Sequence, residues 1–218
     1  THVAGIIADC TDNLNIKILP IRVLNSKGVD APEREDPEES DENSSVELDV
    51  NDSEENVVYG SIVALGIETA VNHRVDVINL SLGSNRPENY KEKQEEKDEN
   101  DWAYDEYTGF IERSVKYAVD NDIVVCAAAG NGDNYGNPVD TATVCPASME
   151  DIIVVGASDS NGNIASYSNY GQSVDVCAPG NGIYSTVPVE LSSDGSGIGR
   201  KSGTSMATPH VAAVAAML

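Results

Sequence analysis

Basic residues are scarce in this chain: 13 Lys and Arg stand against 37 Asp and Glu, a formal net charge of -24. A chain so poor in cations lacks the basic face that phosphate contacts need, which disfavours nucleic-acid binding. No apolar stretch approaches the roughly 20 residues of a membrane span. No basic segment followed by an apolar one opens the chain either, but Thr1 falls inside a motif, so that absence excludes little. Cys10, Cys126, Cys145 and Cys177 show neither CxxC nor metal-ligand spacing. Three lie in or beside apolar runs and read as buried free thiols, the behaviour of a small hydrophobe. A disulfide between two of them stays open. EF-hand spacing is absent too, so the clustered acids point first to solvated loops and only second to calcium.

What is present is enough for one sizeable core: 218 residues, of which 40% are hydrophobic. Short Val/Ile/Ala runs separated by Gly, Asn and Asp predict alternating strands and helices. The expected class is α/β, three layers, with a mainly parallel central sheet and helices on both faces. The acidity is unevenly placed. Asp30 to Glu55 holds 13 acids against Arg34 alone, and Arg86 to Arg113 holds 10 acids against 5 bases. Two acidic inserts, about 25–56 and 84–105, therefore carry most of the charge of an otherwise ordinary domain.

One stretch carries chemistry. Gly203-Thr204-Ser205-Met206-Ala207-Thr208-Pro209-His210 leads into the small apolar run Val211 to Leu218. The glycine allows a tight turn, and the following residues predict a buried helix with Ser205 at its N-terminal end. Unpaired N–H groups and the positive end of the helix dipole favour negative charge developing there, which suits a nucleophile. Pro209 is expected in a first turn, where its missing N–H is not needed. Taken alone, Gly-Thr-Ser before a helix is also an ordinary cap.

Other segments fall into a βα order. Thr1 to Ala8 reads as the start of a small-residue helix, Ile16 to Leu24 as a buried strand interrupted at Pro20. Val57 to Asn72 predicts a helix, Val75 to Leu82 a strand, and Tyr107 to Asn121 a helix with Phe110, Ile111, Val115, Ala118 and Val119 inward. Trp102, Tyr104 and Tyr107 mark the return to packed structure after the second insert. Ile123 to Gly130 is a continuous apolar run, as expected of a central parallel strand covered on both faces. Asp151 to Ser158 and Gly182 to Pro188 predict further strands, and Leu191 to Ser202 a Gly/Ser-rich hairpin or loop.

The Gly-Thr-Ser-Met-Ala-Thr-Pro-His-Val stretch resembles the nucleophile motif of the subtilisin-like serine proteases, the subtilases. Thr1-His2-Val3-Ala4-Gly5 resembles the end of that family's His-Gly-Thr-His-Val-Ala-Gly motif. His2 then matches the second histidine, which is not the base. The resemblance implies that the base lies two residues before Thr1 and that the orienting aspartate lies further upstream. Asp76 to Gly83 resembles the segment bordering the primary specificity pocket, with backbone at Ser81, Leu82 and Gly83 able to pair with an extended peptide. Ala127 to Gly132 resembles the segment that supplies the oxyanion-hole asparagine, Asn131, and the pocket-lining Ala128, Ala129 and Gly130. Thr143 to Ser148, Ile164 to Gly171 and Val174 to Gly180 resemble the pocket wall, the Ser-rich segment and the Asp-Val-x-Ala-Pro-Gly strand. Val144 and Cys145 are expected near the pocket base, favouring apolar or uncharged residues over basic ones. Many family members carry a calcium-binding loop after the histidine helix, where this chain has only Asp9 to Asn15.

The resemblance implies a serine endopeptidase acting on polypeptides through an acyl-enzyme on Ser205, needing no cofactor for the chemistry, with structural calcium possible. It also implies a zymogen with its own propeptide, secreted or at the cell surface. Without the upstream base and acid, the residues from Thr1 onward are expected to be inactive. Three rivals come with it. An α/β-hydrolase needs Gly-x-Ser-x-Gly, but Ala207 replaces the second glycine. A catalytically inactive, peptide-binding relative and a purely structural acidic or calcium-binding module are the others.

Overall fold

The structure is a computed structural model that describes residues 1–12, 14–23, 52–86, 106–133 and 135–218. Four parallel strands form the central sheet in the order β1 (Val77–Leu80), β3 (Val124–Ala128), β5 (Ile153–Ser158), β6 (Val176–Pro179). Register runs Leu80 to Ala127, Ala128 to Val155 and Ala157 to Ala178. Parallel neighbours need crossovers; a helix supplies the one from β1 to β3, while among the described residues the chain joins β3 to β5 and β5 to β6 without an α-helix.

Side chains alternate across the sheet, and each face has its own helices. On one face Ile78, Leu80, Val125, Ala127 and Val154 meet Val63, Ile67, Ala70 and Val71 of α2 (Asp52–Asn72). They also meet Ile111, Val115 and Ala118 of α3 (Glu106–Val119). Phe110 is only half-buried and carries the Arg113 guanidinium over its ring. On the other face Val155, Ala157 and Ala178 pack on Ala207 and Val211 of α4 (Thr204–Met217). Three layers follow, as the alternating pattern predicts. Two small antiparallel ribbons complete the strands of the described residues: β2 (Ser84–Asn85) with β4 (Val144–Cys145), and β7 (Ile183–Thr186) with β8 (Ile198–Lys201). β7 is the short strand expected in Gly182 to Pro188, and the Gly/Ser-rich stretch Leu191 to Ser202 supplies its partner β8 rather than a hairpin of its own.

Helix α1 (His2–Cys10) lies against α4 and β7. Gly5 makes that approach possible, because any side chain there would run into the Ser185 and Thr186 hydroxyls. Those hydroxyls donate to the carbonyls of His2 (2.8 Å) and Thr1 (3.1 Å). His2 is buried with Nε2 against the Gly199 carbonyl at 3.2 Å, and burial pushes its pKa below the ordinary histidine value.

Several expectations change. Ile16 to Leu24 forms no strand over its described part, 16–23: Ile18 and Leu19 are exposed, and only Ile21 and Val23 reach the core, Val23 beside Gly66 of α2. A strand needs a ladder partner; Pro20 cannot donate to one, and β1 pairs only with β3 among the described residues. The first insert ends earlier than expected, since α2 already begins at Asp52, while 25–51 lies outside the described residues. The second begins later: Ser84–Asn85 is strand, and Arg86 is half-buried, bonded to Glu112 and, at 2.7 Å, to Ser148 Oγ. Residues 87–105, with Trp102 and Tyr104, lie outside the description, while Tyr107 falls within α3. All four cysteines are free thiols, but only Cys126 and Cys145 are buried. Cys10 ends α1, and Cys177 sits on the sheet's edge strand; both are exposed. Helix α4 is buried over its first part only, for Val214 and Met217 are exposed. No described helix is long and apolar enough to cross a membrane.

Candidate active site

Three chain segments meet at the carboxyl edge of the sheet. Beyond β1 runs Ser81-Leu82-Gly83, beyond β3 runs Ala129-Gly130-Asn131-Gly132, and α4 begins at Thr204. Ser81 and Ser205 exchange hydrogen bonds. Ser81 Oγ donates to the Ser205 carbonyl at 2.9 Å, and Ser205 Oγ donates to the Ser81 carbonyl at 3.1 Å. Asn79 Nδ2 donates to Ser81 Oγ at 2.9 Å.

Pro209 explains why the Ser205 carbonyl is available. It lies inside α4, beyond the first turn, where its missing N–H would have bonded the carbonyl four residues back, that of Ser205. The orphaned acceptor is taken up by Ser81 instead. The missing donor is thus not idle, as a first-turn position would make it; it frees the bond that ties the first turn of α4 to the end of β1.

Asn131 is fixed from the same helix. Its Oδ1 accepts from the Thr204 N–H at 2.8 Å and from Thr204 Oγ1 at 3.1 Å. Thr204 Oγ1 also accepts from the Gly130 N–H at 3.1 Å. With the carboxamide oxygen doubly held, Nδ2 is the end left over as a donor. The Ser205 N–H, in the first turn of α4, has no partner within the described residues, as helix geometry leaves it.

Asn169 holds the loop between Asn131 and the rest of the fold. This side chain is 2% exposed. Its Nδ2 donates to the Ala129 carbonyl at 2.9 Å, and its Oδ1 accepts from the Gly132 and Val139 N–H groups at 2.9 and 3.0 Å. Gly130 has φ +101°, and a Cβ there would overlap the Asn169 amide, so no other residue fits without displacing the clamp. The sequence reading missed Asn169. It stands in the Ser-rich segment, where no local pattern separates it from its neighbours.

Ser81, Leu82, Gly83, Ala128, Gly130, Asn131 and Ser205 line one cleft of about 410 Å³. Ala129 does not: it is fully buried, and its contribution is the carbonyl that Asn169 grips. Val144 lines the cleft as expected, whereas Cys145 is buried with its Sγ 3.9 Å from the Thr108 carbonyl. None of the chain's imidazoles bonds Ser205 Oγ. His2 reaches Gly199, His73 reaches the Thr69 carbonyl, and His210 Nδ1 contacts the Met206 carbonyl at 2.9 Å. No group of three or more His, Cys, Asp or Glu among the described residues could hold a metal, and most of the first acidic insert lies outside them.

A serine at a helix N-terminus shares one cleft with a carboxamide whose oxygen is held and with the chain beyond a strand's carboxyl end, an arrangement that can support acyl transfer. The particular family follows from comparison: residues 1–218 match the Subtilase family, and the chain belongs to it. It is 35% identical to the thermophilic serine proteinase of Bacillus sp. (strain AK1) over all of this chain and 41% of that protein. Against subtilisin DY of Bacillus licheniformis it is 33% identical over all of this chain and 62% of that one. Among solved structures, a cold adapted subtilisin-like serine proteinase superposes with a TM-score of 0.66 at 27% identity, across 100% of this chain and 59% of its own. The chain thus spans between 41% and 62% of the length of these relatives.

Proposed function

We propose that this chain carries the nucleophile and oxyanion hole of a serine endopeptidase. An extended polypeptide lies along Ser81 to Gly83. Ser205 Oγ attacks the scissile carbonyl as its proton passes to the histidine that the family resemblance places upstream of Thr1, oriented by an upstream aspartate. The Asn131 Nδ2–H and the Ser205 N–H donate to the oxyanion. The protonated histidine then gives its proton to the leaving amine, and water releases the acyl group from Ser205. Structural calcium, a propeptide and export from the cell belong to the same reading, on the family resemblance alone.

One observation supports it above the others: Thr204 holds the Asn131 oxygen with two donors immediately before Ser205 in the chain. The orientation of the donor and the position of the nucleophile are set by adjacent residues of one helix. The test is hydrolysis of a peptide ester by the protein extended upstream through the aspartate and histidine, beside the segment from Thr1 alone. Turnover by the extended protein, lost in Ser205→Ala, is expected. Turnover by the bare segment that vanishes in Ser205→Ala would overturn the upstream base. Peptide binding without any hydrolysis would instead identify an inactive, peptide-binding relative.

A further inference from the structure

We infer that Asn131–Gly132 is a latent self-modification site held shut by Asn169 and Thr204: once their hydrogen bonds open, the Asn131 side chain cyclises onto the Gly132 nitrogen and loses its amide as ammonia. The consequence for activity, though not the chemistry, rests on the proposed peptidase reading. Asparagine before glycine is open to this reaction because no side chain shields the glycine nitrogen. The Gly132 N–H gives its proton to a solvent base, the nitrogen bonds Asn131 Cγ, the Cγ–Nδ2 bond breaks, and ammonia leaves with a proton from water. Water then opens the imide on either side, leaving aspartate or isoaspartate. Either product has lost the Nδ2–H donor and carries a carboxylate beside the place where oxyanion charge would build up.

The turn makes the liability unavoidable. Gly132 has φ +93°, and a Cβ there would stand 2.6 Å from the Asn137 carbonyl oxygen, so no shielding residue fits. Both reacting groups are held instead. The Gly132 N–H donates to Asn169 Oδ1 at 2.9 Å, and burial of Asn169 covers that proton. Asn131 Oδ1 accepts from the Thr204 N–H and Oγ1, and drawing Cγ into bonding distance pulls it off both donors. These partners stand 37 and 73 positions away, so release means parting tertiary structure. Asn131 itself is exposed, so base and water are at hand once it is released.

The chain's two other Asn-Gly pairs, at Asn161 and Asn181, set the scale. Asn161 lies on an exposed turn, with the Gly162 N–H on the Asp159 carbonyl at 3.2 Å and open space around Gly162. Asn181 is held like Asn131 but by another residue: Ser202 Oγ accepts from the Gly182 N–H at 2.8 Å and donates to Asn181 Oδ1 at 3.1 Å.

The test is peptide mapping of the upstream-extended protein carrying Ser205→Ala, so that no self-digestion intrudes, after incubation in alkaline buffer. Imide, aspartate and isoaspartate are counted at all three sites. Asn131 is expected to convert about 10-fold or more slowly than Asn161, as a site that reacts only after local opening does. Adding Asn169→Ala should raise conversion at Asn131 about 10-fold or more while Asn181 stays slow. Thr204→Val, which keeps the N–H and loses Oγ1, should raise it by less, and it stands in if the Asn169 variant does not fold. Conversion of Asn131 as fast as Asn161 before either change would overturn the inference. So would a folded variant in which Asn131 stays slow, or one in which Asn131 and Asn181 rise together, the mark of general loosening. In the protein with Ser205 restored, esterase activity should fall in step with conversion at Asn131. Activity that survives full conversion would overturn the oxyanion role of Asn131 and leave the clamp standing.

Discussion

Two apolar runs, Val124–Ala128 and 16–23, look alike on paper and end up in opposite places. The first is β3, with a parallel neighbour on each side and helices over both faces. The second is irregular, and Ile18 and Leu19 are 39% and 42% exposed. Hydrophobicity supplies the drive to leave water, but a strand also needs main-chain partners for its N–H and C=O groups. β3 finds them on both edges and carries Gly130 and Asn131 at its carboxyl end. The other run has Pro20 in its middle and no ladder, so only Ile21 and Val23 are covered. The site is built where the backbone is most fully paired.

The difference can be broken from the β3 side first. Asn131→Ala in the upstream-extended protein should lower kcat by about 10²- to 10³-fold with little change in KM, a magnitude that comes from the equivalent removal in subtilisin itself. A loss expressed mainly in KM would instead make Asn131 a ground-state binding residue. Asn169→Ala should act on stability as well as rate. It strands the Ala129 carbonyl and the Gly132 and Val139 N–H groups, at about 1–3 kcal/mol for each group left unpaired. A fall of about 6 °C or more in melting temperature is expected for a domain near this size. An unchanged melting temperature would mean the loop does not depend on this clamp.

Gly5→Val probes the seam between α1 and the β7–β8 hairpin, where the new side chain meets the Ser185 and Thr186 hydroxyls. Overpacking of that kind costs about 1–3 kcal/mol, readable by denaturant titration. The smallest effect belongs to the irregular run: Leu19→Ser should change stability by less than about 0.5 kcal/mol. A cost above 2 kcal/mol would place Leu19 in a core and erase the contrast with β3.

The placement of Ser205 and Asn131 in one cleft was legible because each sits in a short contiguous pattern with a local physical meaning: a turn before a helix, and a turn after a buried strand. The layer order was legible for the same reason, through apolar runs of strand length alternating with helical spacing. Asn169 was not, since its role exists only through partners 30 to 40 positions away. Pro209 was misread because its effect depends on where α4 starts and on Ser81, 124 positions from Ser205. Ala129 was counted with the cleft because neighbouring strand residues face opposite ways, and only coordinates show which of them turns inward. The insert edges failed at Ser84 and Arg86, where polar residues are consumed by a ribbon and a half-buried ion pair.

The central claim is that Ser205 is the nucleophile and that Asn131 serves the same reacting oxygen. A fluorophosphonate tests both at once: an attacking serine oxygen displaces fluoride, and the phosphonyl oxygen then sits where an oxyanion would. Intact-mass and peptide mapping of the labelled, upstream-extended protein should find one adduct, on Ser205, formed at least 10-fold more slowly in Asn131→Ala. An adduct on another residue, or equal rates with and without the Asn131 carboxamide, would contradict it.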